Sequence, residues 1–303
     1  MRIGMQEGDS SSKLSYTSWD IGVIGKTVDQ RGEAACDFIT QNCSEVMAFD
    51  YNPDDFTLRV GDRRINPEEV EQVCTRWVGM KVIFEATTLG FVEILLCLRA
   101  LQRLLLAKTT FLYVEPSLYK TSRERSPLHR RDFELSDEVP GYRGIPGFTL
   151  MMTDRLPQRA VFFLGYEEPR LDRALEDFQM LNPSMCSVVF GVPAFQPGWE
   201  MDAFSNNIRV IRERHIIGGV YFCGAENPAA ALDVLNQVRS EMGNGERLFI
   251  APVGTKPHGL AAALFAAANP DVGILYDHPK RSKGRSEKVA GWHLFEVDLI
   301  TAP

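Results

Sequence analysis

The sequence predicts an α/β protein: one or two mainly parallel sheets with helices on both faces, folded as two lobes. Three observations carry this. Short β-branched and aromatic runs alternate with stretches of helical periodicity along the 303 residues. Several of those runs are apolar at consecutive positions, the pattern of strands covered on both faces. The alternation fails once, over residues 117–158, where charge, proline and glycine take over.

The strands expected are 20–25, 46–51, 81–86, 109–114, 160–165, 187–192, 219–223, 248–253, 272–276 and 293–298. Between them, Pro67-Glu68-Glu69 opens a helix with proline in its first turn and acids at the positive end of the dipole. Pro169 opens a helix over 170–180 that stops at Asn182-Pro183, and Pro228 opens one that runs to Val238. The apolar stretch 91–107 carries Glu93, Arg99, Gln102 and Arg103, so it reads as a buried helix and not a membrane span. The whole is a Rossmann-like alternation.

A structureless loop as long as 117–158 is unusual inside a compact domain. It is therefore expected to be an inter-lobe connection with some local structure. The organisation expected is a flexible polar N-terminus over 1–18, a lobe over 19–116, the connection, and a second lobe over 159–303. The lobes echo each other. Val23-Ile24-Gly25 leads to Ala34 and Cys36-Asp37-Phe38, as Phe163-Leu164-Gly165 leads to Ala174 and Glu176-Asp177-Phe178. The reading is either a duplication or the likeness that any two βαβ units share.

Composition narrows function. Hydrophobic residues make up 45% and charged residues 24%, an ordinary globular balance. The net charge of −7 argues against a protein that coats nucleic acid, leaving only local basic patches for that role. The six cysteines form no C-x-x-C pair and no cluster with metal spacing. They read as buried thiols of a reducing compartment, and the protein as cytoplasmic. No metal and no cofactor is expected. The N-terminus has no apolar signal-like core.

The strongest local constellation is Gly254-Thr255-Lys256-Pro257-His258, after an apolar strand and before an alanine-rich helix. Gly254 permits a tight turn, and Pro257 suits a first helical turn. A helix N-terminus attracts anions, with Thr255 adding a hydroxyl and Lys256 a charge. The dipole alone contributes roughly 0.3–1 kcal/mol, so those partners are needed. The alternative is an ordinary βα turn with a solvated lysine. Thr87-Thr88-Leu89-Gly90 is a counterpart turn after an earlier strand. Lys26 and Thr27 follow another strand; Asp20-Ile21-Gly22-Val23-Ile24-Gly25-Lys26-Thr27 imitates a P-loop but lacks its first glycine. The candidate ligand contacts are thus Lys26, Thr27, Thr87, Thr88, Gly254, Thr255, Lys256 and His258.

The Gly254-Thr255-Lys256-Pro257 loop resembles the Gly-Thr-Lys-Pro loop of CRISPR-associated Rossmann-fold (CARF) proteins. The Thr87–Gly90 turn resembles their other ligand-side loop. The resemblance implies binding of cyclic oligoadenylates or related nucleotide signals in prokaryotic antiviral defence, usually across a twofold dimer interface. Val253 and His258 stand where that family often has glycine and methionine. Arg209 and His215 match the Arg-x5-His spacing of ribonuclease modules fused to such sensors, but on a short helix between strands, outside that fold context.

Other features stay open. Glu85, Glu115, Asp277 and His278 lie at strand ends, as polar lining or as solvated edge. Lys280, Arg281, Lys283, Arg285 and Lys288 form a basic run suited to phosphates or to plain solvation. Residues 191–199 place Phe195 and Trp199 in a loop that could stack a base, pack a partner or cover the sheet end. Two further functions are therefore carried. One is a non-catalytic partner subunit of a multiprotein defence complex, bound to a product of the same operon; a homodimer is the other partner expected. The other is an enzyme on a nucleotide or phosphorylated substrate, with Glu85, Asp277 or His258 as acid or base.

Overall fold

The computed structural model describes residues 1–121, 133, 135–153, 155–167 and 169–299. Along the chain the strands are β1 (Arg2–Gly8), β2 (Trp19–Ile24), β3 (Cys43–Asn52), β4 (Thr57–Val60), β5 (Arg63–Ile65), β6 (Val82–Glu85), β7 (Lys108–Tyr119), β8 (Ser136–Glu138), β9 (Gln158–Leu164), β10 (Cys186–Gly191), β11 (Gly219–Cys223), β12 (Arg247–Pro252), β13 (Gly273–Ile274), β14 (Lys280–Arg281) and β15 (Ser286–Asp298). The helices are α1 (Gln30–Asn42), α2 (Val70–Thr75), α3 (Phe91–Arg103), α4 (Pro169–Asp177), α5 (Trp199–Glu213), α6 (Pro228–Ser240) and α7 (Lys256–Ala268). The chain divides into two compact α/β units, Met1–Tyr119 with Lys283–Pro303, and Lys120–Ser282.

Unit 1 is built on a sheet of order β1-β15-β7-β6-β2-β3-β4-β5. Its centre, β7-β6-β2-β3, is parallel, and both margins are antiparallel. The α/β expectation holds, and this sheet is mixed, with its parallel strands at the centre. Alternation in β6 shows why both faces need helices. Ile83 joins Ala35, Phe38 and Ile39 of α1 on one face. Phe84 stacks with Phe111 and meets Trp77 on the other, beside α2 and α3. α3 buries ten of its thirteen residues, as its near-continuous apolar run requires.

Unit 2 has a sheet of order β11-β10-β9-β12-β13, parallel throughout. β9 is apolar on both faces because both are covered. Ala160, Phe162 and Leu164 pack against Leu171, Ala174 and Leu175 of α4 and Ala203 and Val210 of α5. Phe163, on the opposite face, lies 5.3 Å from the His258 ring of α7. β8 and β14 form a small antiparallel pair.

Three expectations about organisation are corrected. The N-terminus holds a strand, β1, paired along its length with β15. Its polar sequence carried no apolar alternation because neither face is deeply covered. The last strand, expected in the second lobe, pairs with β7 and β1 in unit 1. The described part of the 117–158 connection belongs partly to β7 and mostly to unit 2, where Ile145 and Phe148 are buried. Its residues 122–132, 134 and 154 lie outside the described residues. No helix among the described residues is long and apolar enough to cross a membrane.

Candidate functional site

In each unit the first parallel strand has later strands on both sides. The chain runs β2 to β3 on one side, then β6 and β7 on the other; it runs β9, β10, β11 on one side, then β12 and β13 on the other. The switch points are β2/β6 and β9/β12, and ligands of open α/β sheets favour the strand ends there. Thr87–Gly90 follows β6 and Gly254–Lys256 follows β12, so the two turns occupy corresponding places in their own units. At both, a glycine permits close approach. A methyl at Gly25 would collide with the Thr88 carbonyl, and one at Gly165 would lie 3.2 Å from the Val253 carbonyl oxygen.

The Thr87–Thr88 turn is closed by the chain's own carboxylate. Glu85 accepts from the N–H groups of Thr87 and Thr88, both at 2.7 Å, and from the Thr88 hydroxyl. The Thr88 hydroxyl accepts from Gly25 N–H at 2.8 Å, and that of Thr87 from Val114 N–H at 3.0 Å. Glu85, Thr87 and Thr88 are all buried. Burial pushes the Glu85 carboxyl up, against the pull of the hydrogen bonds from both threonines. The two threonines therefore act as internal braces, with Glu85 in the place a ligand anion would take.

Lys26 and Thr27 sit differently. They are exposed on the turn between β2 and α1. That turn ends at Asp29, which caps α1 by accepting from Gly32 N–H at 3.1 Å. Asp29 also binds the Arg31 guanidinium at 3.1 Å and the Ser286 hydroxyl at 2.7 Å. Burial works against the charge on Asp29, but Arg31, Ser286 and Arg285 take its pKa below the ordinary value. Buried Arg31 reaches on to the Tyr113 hydroxyl at 3.3 Å.

The basic run is divided between the units. Lys280 and Arg281 form β14 in unit 2, where Lys280 pairs with Glu138 at 2.7 Å. The rest folds onto the Lys26–Thr27 turn within unit 1. Gly284 N–H donates to the Val28 carbonyl at 2.7 Å, and Lys288 N–H to the Gln30 side chain at 2.9 Å. Arg285 lies 3.7 Å from Asp29. Lys26, Lys283 and Lys288 are exposed, so one end of the parallel centre of unit 1 gathers their positive charge.

In unit 2, Thr255 is the N-cap of α7 and accepts from His258 N–H at 3.3 Å. Its hydroxyl donates to the Ala225 carbonyl at 2.7 Å, tying α7 to the turn before α6. Pro257 has no N–H, so the first turn of α7 is largely satisfied within the chain. Lys256 is half-buried beside it. Behind Gly254, Arg170 makes a bidentate pair with Asp277, both bonds at 2.6 Å, and donates to the Val253 carbonyl at 3.0 Å. Asp277 is thus a fully buried partner of an arginine and does not line a surface.

His258 is fully buried. Its Nε2 lies 2.9 Å from the Gly224 carbonyl and 3.4 Å from Cys223 Sγ. Its Nδ1 meets no hydrogen-bond partner among the described residues. Burial lowers the imidazole pKa to about 4, and burial, then Glu226, raises the Cys223 thiol to about 12. Near neutral pH both are uncharged, which is the opposite of a thiolate–imidazolium nucleophile. Glu115 and His293 form a second buried contact, at 2.6 Å, in unit 1.

The structure brings Lys26 and Thr27 together with Lys283–Lys288, and separately Gly254, Thr255, Lys256 and His258. The two sets belong to different units. Sequence reading missed Asp29, Arg31, Arg170 and Ser286. Asp29-Gln30-Arg31 reads in sequence as a plain helix cap, and the partners of Arg170 and Ser286 lie 107 and 257 residues away. Arg209 pairs with Glu213 on the exposed side of α5, and His215 lies past its end. Trp199 is buried against Phe133 and Tyr166, which makes it part of the core and not a stacking platform. Among the described residues, no group of three or more His, Cys, Asp or Glu could hold a metal ion.

No protein-family model and no curated protein matches the chain. Among solved structures the chain is similar to a ketoreductase domain from the bacillaene assembly line, at 13% identity and a TM-score of 0.20. The alignment covers 82% of this chain and spans 61% of that one.

Proposed function

We propose that the chain binds a phosphate-bearing ligand, a nucleotide or a cyclic oligonucleotide, at the end of the parallel centre of unit 1. One observation carries this reading: the Lys283–Lys288 segment is hydrogen-bonded onto the turn that holds Lys26 and Thr27. A cationic rim held by backbone and side-chain hydrogen bonds, at the switch point of the parallel centre, suits phosphate oxygens. The likeness of Gly254–Pro257, a loop of unit 2, to the CARF loop supports nucleotide signalling in antiviral defence as the setting. On this reading the protein is a sensor and not a catalyst.

Calorimetric titration with linear and cyclic oligoadenylates tests it. Lys26→Ala and Lys288→Ala are each expected to weaken binding about tenfold, or ~1.4 kcal/mol. Lys256→Ala tests the unit 2 loop separately. Absence of binding across the panel, or equal binding by Lys26→Ala and Lys288→Ala, overturns the proposal.

A further inference from the structure

The edge of the unit 2 sheet carries an apolar surface that the ligand reading does not use. β11 is the outermost strand and, among the described residues, pairs only with β10. Its sequence, Gly-Val-Tyr-Phe-Cys, has none of the lysine or proline that blunts a free edge. Val220 and Phe222 are 49% and 54% exposed. They share the face that α5 covers further in, since Phe222 lies 5.9 Å from Phe204 of α5 and 6.3 Å from Phe190 of β10. α5 itself exposes Met201 and Ile208, with small Ser205 between them on the same side. Ile217, just before the strand, is 76% exposed.

We propose that this surface joins two copies of the chain, β11 against β11, antiparallel about a twofold axis at Tyr221. Tyr221 is the middle residue of the strand, so Val220 of each copy faces Phe222 of the other. The two parallel sheets become one continuous sheet, and the exposed strand edge is paired. The α5 helices flank the joint in opposite directions. Glu200 near the start of one then faces Arg212 near the end of the other, and the helix dipoles oppose. Five large apolar side chains, each about half exposed or more, amount to several hundred Å², the size at which a patch marks an interaction surface. With the strand backbone and flanking charges, that is of the order of the ~800 Å² per partner that a stable dimer buries. An extended peptide added to β11 would leave Met201 and Ile208 bare. A second copy covers them with the same residues, as a twofold interface requires.

Sedimentation equilibrium of the full chain decides this. The wild type is expected at twice the 34.1 kDa chain mass. Phe222→Lys and Arg212→Glu are each expected to shift it to the single mass with an unchanged circular dichroism spectrum. Glu200→Arg combined with Arg212→Glu is expected to restore the dimer. If Phe222→Lys fails to fold, Arg212→Glu, on an exposed helix position, carries the test alone. A wild type that stays monomeric at every concentration overturns the proposal, as does a dimer that Arg212→Glu leaves intact.

Discussion

At the scale of single residues, burial decides what each polar group can do. His258 has the composition of a ligand contact but the surroundings of a core residue, with its imidazole against Phe163 and the Gly224 carbonyl. Its pKa falls to about 4 because burial penalises the charged form, with the Gly224 hydrogen bond only partly opposing. Above the unfolded value near 6.5 the histidine is neutral in both states and costs nothing. As pH falls from there towards 4, the unfolded chain takes up the proton first, and stability is lost. The full loss is on the order of 3 kcal/mol, from about 1.36 kcal/mol per pKa unit. His258→Gln is expected to flatten the pH dependence of the urea midpoint between 6.5 and 4, relative to wild type. Parallel slopes would show that another group carries it. Arg170 makes the same point in reverse: a charge deep in unit 2 persists because Asp277 and the Val253 carbonyl meet its donors.

At the scale of elements, the turns at the strand ends are set by how closely backbones approach. The end of β2 meets the Thr88 turn so tightly that only glycine fits at position 25. Gly25→Ala is expected to lower stability by about 1–3 kcal/mol, the cost of overpacking a site with no flexible neighbour. Thermal melts of the variant would read this, and an unchanged midpoint would mean that the turn yields freely. The ten strands expected from apolar runs are all present, some shorter or longer than expected, and those at the sheet centres are legible because covered strands must be apolar. β1, β4, β5, β8 and β14 had no such signal. They are short or marginal, and their pairing depends on a neighbour far along the chain or on a tight hairpin, not on a buried face of their own.

At the scale of the whole chain, unit 1 is discontinuous. Its final strand arrives after all of unit 2 and lies between β1 and β7. A chain cut after Ser282 would strip β1 of its only strand partner among the described residues and expose the flank of β7. Such a truncation is expected to abolish cooperative unfolding of unit 1, seen as a lost transition in a denaturant melt with fluorescence from Trp19 and Trp77. A retained transition would show that the parallel centre stands without its antiparallel margin.

The α/β class, the main strands, most helix starts and the presence of two lobes are legible in the amino-acid order alone. Those features follow from local periodicity and from proline and capping residues, which are written in neighbouring positions. The same order points to the turns after β2, β6 and β12, since a strand followed by glycine or threonine and then a helix is visible in one short window. Which turn faces outward depends on contacts made after folding. Thr87 and Thr88 are turned inward by Glu85, Thr255 by the Ala225 carbonyl, while the turn that holds Lys26 acquires the Lys283–Lys288 segment through bonds between residues more than 250 positions apart. Long-range pairing of that kind leaves no periodic trace, because the residues that form it are each unremarkable in their own stretch of chain.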